Sequence, residues 1–268
     1  MDKKLILITN DDGYNANGIK ALIEVAKEFG RVIVVAPDRS WSGKSHSVTL
    51  DNPIYVKELN HYYPAEIEAY ITSGTPVDCI KFALNNILDR EPDLILSGIN
   101  HGPNFSINSF YSGTVAAALE GSLNGIPSIA LSHVSFNPDA DMTLAKEHTK
   151  ILIDYIFSMP DNKGICLNAN FPDLQPTDSK GIKFTRLARA IWKEEFVERT
   201  HPARKQKYYW LTGKFYNFEP AVEDTDLWAI ENGYTAVAPL NTDLTDYKTL
   251  KTLKNINTGL TIKNQKEL

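Results

Sequence analysis

Two aspartates side by side, Asp11 and Asp12, follow the apolar run Leu5-Ile6-Leu7-Ile8 and precede Gly13. A leucine- and isoleucine-rich run reads as a strand covered on both faces, as in a parallel sheet. Open α/β sheets place their ligand crevice at the carboxyl ends of such strands. Neighbouring side chains on a strand diverge, but a glycine-containing turn lets the backbone reverse and carry both carboxylates to one point. Carboxylates that close repel each other unless a cation lies between them, which makes the pair a candidate cation site. The competing reading is structural, since Asp-Asp-Gly is also an ordinary turn and helix-entry signal.

Other stretches bear on that choice. Residues 40–47, Ser40-Trp41-Ser42-Gly43-Lys44-Ser45-His46-Ser47, hold four serines and a glycine. Small hydroxyl residues with glycine permit close approach to a metal or phosphate, and they also make ordinary loops. His46 reads as an acid-base group or as a hydrogen-bonded loop histidine; Lys44 reads as a phosphate contact or a solvated surface lysine. Gly98-Ile99-Asn100-His101-Gly102-Pro103-Asn104 is a further glycine-rich polar loop behind a predicted strand. Tyr111-Ser112-Gly113-Thr114 opens a helix that Ser112 or Thr114 can cap, and its free N–H groups can hold a phosphate without added positive charge. In Ser73-Gly74-Thr75-Pro76, Thr75 is a natural N-cap and Pro76 a first-turn proline, with an anion site at that helix start as the alternative. Three polar loops on one expected sheet edge favour a site over three coincidental turns.

The elements that must carry these loops follow from periodicity. Strands are expected at residues 5–8, 31–36, 48–50, 53–58, 68–72, 93–97, 126–132, 164–168, 182–189 and 235–239, and helices at 17–30, 77–88, 111–119, 142–157, 224–232 and 246–253. The opening β-α-β unit makes the fold α/β: a Rossmann-like, mostly parallel sheet flanked by helices. Residues 1–135 form the core with the metal site. Residues 136–268 complete the fold as part of one structural domain. Within them, Tyr208-Tyr209-Trp210-Leu211 and Lys214-Phe215-Tyr216 read as a hairpin turning at Thr212-Gly213, serving either as an oligomer contact or as a flap on its own domain. The lysine-rich tail from Lys254 is expected to be mobile.

The chain has 268 residues, 43% hydrophobic and 23% charged, enough apolar mass for a sizeable core. A net charge of −5 and a pI near 5.7 argue against a nucleic-acid duplex as partner. An anionic substrate would therefore need a metal or helix N-termini. Cys79 and Cys166 stand far apart without metal-ligand spacing and read as buried thiols in a reducing compartment. No stretch has the length of a membrane span or a signal-peptide core, and the expected location is cytoplasmic.

Five blocks recur together in one known family. They are Thr9-Asn10-Asp11-Asp12-Gly13; Ala36-Pro37-Asp38-Arg39 with Ser42-Gly43; Ser73-Gly74-Thr75-Pro76; Ser97-Gly98-Ile99-Asn100 with Gly102-Pro103-Asn104; and Ser112-Gly113-Thr114. In order and spacing, across residues 5–132, the chain resembles the SurE family of survival-protein nucleotidases. The resemblance implies a metal-dependent phosphomonoesterase that hydrolyses nucleoside 5′-monophosphates, and 3′-monophosphates too. It also implies a C-terminal region that exchanges segments in a homodimer or homotetramer. Carried over residue by residue, the implied metal ligands are Asp11, Asp12, Ser42 and Asn100, with Asp11, Asp12 and Asn100 as the catalytic set. The implied phosphate surroundings are Asn10, Gly43, Asn104, Ser112, Gly113 and Thr114. Trp41 stands where members commonly carry a polar residue, and His101 occupies a variable position.

Two carboxylates, a hydroxyl and an amide oxygen are hard donors suited to one Mg²⁺ or Mn²⁺ per subunit and not to Zn²⁺. Octahedral geometry would leave about two positions for water and a phosphate oxygen. The implied reaction is direct attack by metal-activated water, with His46 and His101 as candidate general acids. Two other readings compete. One is a non-catalytic nucleotide-binding or regulatory protein; the other is a glycosyltransferase holding a sugar nucleotide's diphosphate through a metal on the paired aspartates.

Overall fold

The computed structural model describes residues 3–256. The chain opens with strand β1 (Lys4–Thr9), helix α1 (Asn17–Ala26) and strand β2 (Gly30–Pro37), then β3 (Val56–Glu58), β4 (Glu68–Thr72) and α2 (Pro76–Phe82). β5 (Leu94–His101), α3 (Gly113–Leu123), β6 (Ser128–His133), α4 (Thr143–Ser158), β7 (Cys166–Phe171) and β8 (Ile182–Phe184) follow. An arm of four short strands comes next: β9 (Ala190–Lys193), β10 (Phe196–Thr200), β11 (Lys207–Leu211) and β12 (Lys214–Asn217). The chain then returns through α5 (Asp226–Glu231), β13 (Thr235–Leu240) and α6 (Tyr247–Ile256).

The main sheet runs β3-β4-β2-β1-β5-β6-β7-β13-β8. From β4 through β7 every pairing is parallel; β3 joins β4, and β13 joins β7, antiparallel. Alternation along β1 divides the core into two layers. Ile6 and Ile8 face α1 and α4, packing with Leu22, Leu152 and Ile153. Leu5 and Leu7 face α2 and α3, packing with Ile80 and Ala117. Each such side chain, fully withdrawn from water, contributes roughly 1.5–3 kcal/mol. β1 is central, and the chain leaves it toward β2 on one side and later reaches β5 on the other. That reversal creates a switch-point crevice between the carboxyl ends of β1 and β5. α1 is drawn tight across this point: a methyl group on Gly18 would fall 1.8 Å from the carbonyl oxygen of Ile99.

The predicted fold class is borne out, with local corrections. Residues 48–50 join no strand. Thr49 donates its N–H and its hydroxyl to the Asp78 carboxylate instead, and Ser47 accepts from the Thr75 hydroxyl. The α2 capping box thus takes the hydrogen bonds that a strand would have used. Helix α1 stops at Ala26, and Gly30 begins β2 rather than ending the helix. The predicted 182–189 strand shrinks to Ile182–Phe184 because the backbone beyond it is claimed by the start of α5, through Arg186 N–H to the Asp224 carbonyl and Ala188 N–H to the Asp226 carboxylate. The hairpin does not turn at Thr212-Gly213. β11 pairs with β10 and β12 with β9, so Gly213 is an irregularity inside a longer ribbon. The reversal lies at 201–206, where His201 Nδ1 accepts from the N–H groups of Ala203 and Arg204. Lys254 belongs to α6, and the rest of the tail, 257–268, lies outside the described residues.

Strands β7, β8 and β13 of the second half extend the same sheet that the first half begins. Both cysteines are free and buried, and burial pushes each thiol up to about 12. Among the described residues no helix is long and apolar enough to cross a membrane.

Candidate metal and phosphate site

Asn10 shapes the turn after β1: its Oδ1 accepts from Gly13 N–H and its Nδ2 donates to the Gly13 carbonyl. Both ends of its amide are thereby used, and Asn10 is not among the residues lining the crevice. The turn sets Asp11 against the start of α3. Thr114 donates its hydroxyl to Asp11 Oδ1 at 2.5 Å. Gly113 makes the approach possible, since a methyl group there would meet Asp11 Cβ at 3.0 Å. Asp12, partly buried, accepts at Oδ2 from the N–H of His101 at 3.0 Å. Asn100, on β5, donates Nδ2 to the Gly102 carbonyl at 2.7 Å. A register shift in the β5–β6 pairing between Ser97 and Asn100 carries β5 on to His101, so this candidate ligand stands on a strand and not in the predicted loop.

Among the described residues no cation balances the carboxylates. Burial, then the neighbouring charge of Asp12, pushes the Asp11 carboxyl up to about 6 despite its bond from Thr114. Burial also raises Asp12, opposed by the His101 amide. Among the described residues no group of three His, Cys, Asp or Glu side chains could hold a metal. The donor set is two carboxylates with neutral oxygens around them, the chemistry of a hard divalent cation.

The loop after β2 closes one side. Trp41 N–H donates to the Asp11 carbonyl at 2.8 Å. Ser45 donates from its N–H to the Tyr111 carbonyl and from its hydroxyl to the Phe110 carbonyl, and His46 Nε2 lies 3.0 Å from Glu120 of α3. That pairing holds His46 against α3, and His46 does not line the crevice. Ser42 is exposed, with its hydroxyl 2.9 Å from that of Ser40. Ser112 caps α3 by accepting from Val115 N–H.

A cavity of about 380 Å³ lies between these loops. Asp11, Ser42, Gly43, Asn100, Asn104 and Ser112 all border it, with His101, Tyr111 and Phe136 at its rim. Of the residues expected at the site, the structure gathers these around one space, with Gly113 and Thr114 behind Asp11. Asp12 approaches from the His101 side and does not line the cavity itself. Trp41 lies with its ring 5.9 Å from the Arg39 guanidinium carbon, and its buried Nε1 has no hydrogen-bond partner among the described residues.

Sequence reading missed the residues that steady the third loop. Asn104 donates its N–H to Asn170 Oδ1 and its Nδ2 to the Ser132 hydroxyl, while its carbonyl accepts from Asn168 Nδ2. Asp226, buried and raised by burial, accepts from the N–H groups of Ser106 and Ala188. A signal was available for the first pair. Asn168 and Asn170 alternate along an otherwise apolar strand, which places two amides on one face.

Comparison with known proteins follows the same pattern. The family model described as survival protein SurE matches residues 6–194. The chain belongs to the SurE family. Two relatives named 5′-nucleotidase SurE cover nearly its whole length. That of Flavobacterium psychrophilum is 44% identical, over 95% of this chain and 98% of its own. That of Flavobacterium johnsoniae is 46% identical, over 94% and 96%. The crystal structure of the SurE protein from Aquifex aeolicus superposes with a TM-score of 0.79 at 38% identity, covering 94% of this chain and 99% of that one. The resemblance carried by the five sequence blocks is borne out; four of them supply residues that line the crevice, whereas Ser73-Gly74-Thr75-Pro76 caps α2 and does not.

Proposed function

We propose that this chain is a metal-dependent phosphomonoesterase that removes phosphate from nucleoside 5′-monophosphates. Its relatives named 5′-nucleotidase span almost the full chain. One observation carries the metal dependence: Asp11, Asp12 and Asn100 are each fixed by a hydrogen bond at one polar atom and carry a further carboxylate or amide oxygen beside it. Hydrogen bonds of this kind orient a ligand side chain before the ion arrives. Ser42, on the loop tied to Asp11 through Trp41, adds a hydroxyl. One Mg²⁺ or Mn²⁺ held there would polarise the phosphoryl group and acidify an attacking water.

The chain's own residues do the remaining work. α3 begins directly after the cavity-lining Ser112, so its free first-turn N–H groups would stand where the equatorial phosphoryl oxygens gather negative charge. Thr114 orients the Asp11 carboxylate, because its hydroxyl proton is already given to that group. At Gly43, φ is +70° and the space a Cβ would take is empty, so a phosphate oxygen can approach the main chain. A site that held the phosphoryl group alone would not depend on which ribose carbon bears it, and 3′-monophosphates are proposed as further substrates on that ground. We also infer a homodimer or homotetramer joined through the arm, on which Phe196, Trp210 and Leu211 are exposed.

Phosphate release from a panel of 5′- and 3′-monophosphates, by chelator-stripped protein with and without added Mg²⁺ or Mn²⁺, tests the function. Release that metal does not change removes the metal dependence. Tight binding without release turns the site into a nucleotide receptor, and consumption of a sugar nucleotide only with an acceptor makes it a glycosyltransferase.

A further inference from the structure

Phe136, in the loop between β6 and α4, is 77% exposed. An exposed phenyl ring is usually free to move, but the residues next to this one are tied down. The carbonyl of Asn137 lies 3.1 Å from His101 Nδ1, and that of Pro138 accepts from Asn17 Nδ2 at 3.0 Å. Earlier in the loop, Val134 N–H donates to the Phe171 carbonyl. The ring itself rests on the ligand loop, where a methyl group on Gly102 would fall 2.5 Å from its Cε1. Gly102 is the residue whose carbonyl orients Asn100, and two residues of chain span at most roughly 7 Å. An apolar face is therefore held at the cavity that Asp11, Ser42 and Asn100 also line, within one nucleotide's reach of the candidate metal ligands.

We infer that Phe136 is the wall on which the base of the substrate stacks, making the loop after β6 the part of the chain that prefers a nucleotide over a simple sugar phosphate. The inference rests on the phosphomonoesterase reading above. A ring fixed before binding loses little freedom when a planar group lands on it, and aromatic faces accept every base. Tyr111 adds a second, partly exposed ring to the same cavity. The neighbouring Asn108 is poorly placed to read base edges, because its Nδ2 contacts the Pro103 carbonyl and its Oδ1 accepts from Trp192 Nε1. The site accordingly distinguishes the presence of a base more strongly than its identity.

The test compares AMP with ribose 5-phosphate, by steady-state hydrolysis and by calorimetric binding in parallel, for wild type, Phe136→Ala and Phe136→Tyr. Phe136→Ala is expected to cut the preference for AMP, as a ratio of kcat/KM, by roughly tenfold or more, mostly through KM. Phe136→Tyr keeps the preference. Since the ring is exposed, thermal melting should match wild type in both variants. An unchanged AMP preference in Phe136→Ala, or equal losses on both substrates, overturns the inference while leaving the phosphatase reading intact. Base-dependent binding that Phe136→Ala removes, in a protein that releases no phosphate, does the reverse. A wild type that binds AMP no better than ribose 5-phosphate also overturns it.

Discussion

Asp11 and Glu120 are both buried carboxylates beside α3, and the protein treats them in opposite ways. Glu120 lies between Lys81 Nζ at 2.7 Å and His46 Nε2 at 3.0 Å, and these partners pull its carboxyl down to about 2. Asp11, at the other end of the same helix, has a hydroxyl partner and another carboxylate nearby, and it is pushed up to about 6. A carboxylate balanced by its own chain ties elements together, as Glu120 ties the loop after β2 to α3 and α2. A carboxylate left unbalanced makes the fold bear a cost that a bound cation would relieve.

Removing the unbalanced charge should separate activity from stability. Asp11→Asn is expected to lower metal-dependent turnover by roughly a thousandfold. The same substitution should leave metal-stripped protein at pH 7 at least as stable as wild type, and up to about 3 kcal/mol more stable. Unchanged turnover, or a large fall in melting temperature, would break the contrast.

Adding metal is the next largest effect. A hundredfold excess over Kd stabilises wild type by about 2.7 kcal/mol, and differential scanning calorimetry should show this gain vanish in Asp11→Asn and Asp12→Asn. Glu120→Gln should retain the metal response while losing about 1–2 kcal/mol of stability, a modest figure because Lys81 and His46 are partly solvated.

The two carboxylates also predict a pH signature for metal-stripped protein. The folded state favours protonated Asp11, so its penalty is full above about pH 6 and fades as pH falls toward the unfolded value of 3.8. The folded state favours ionised Glu120, whose contribution is full above 4.5 and lost as pH falls through about 2. Denaturant titrations of stripped protein should therefore show stability rising from pH 7 down to about 4.5 and falling below it. Metal-loaded protein should lack the first rise. The smallest effect is expected for His46→Ala, which loosens the loop bearing Ser42 and Gly43 and should raise KM several-fold with a smaller change in kcat.

The parallel core was legible because its strands are buried on both faces, so runs such as Leu5-Ile6-Leu7-Ile8 stand out without any partner in view. Asp11, Asp12 and Asn100 were legible as residue types at strand ends. Their hydrogen bonds were not, since which atom Thr114, His101 or Gly102 engages depends on elements far apart in sequence. Gly30 misled at a helix end, and two other glycines misled for one reason. Gly98 and Gly213 announce turns, yet Gly98 lies within a strand beside the backbone of Leu131, and Gly213 interrupts a ribbon whose pairing resumes at Lys214. A local signal cannot distinguish a reversal from a close approach. Asp226 was illegible because its partners, Ser106 and Ala188, lie 120 and 38 residues away.

That last contact also orders events at the ribosome. β1 is made before the other strands described and becomes an interior strand of the sheet, and the aspartates emerge with it. Among the described residues β8 pairs only with β13, some fifty residues later in synthesis, and the segment at Ser106 waits for Asp226. A chain released before residue 226 would carry both aspartates on a nearly complete parallel sheet, with the loop beyond Asn104 still untethered. The tether that steadies the loop beyond Asn104 thus forms only after residue 226 has been made, long after the aspartates themselves.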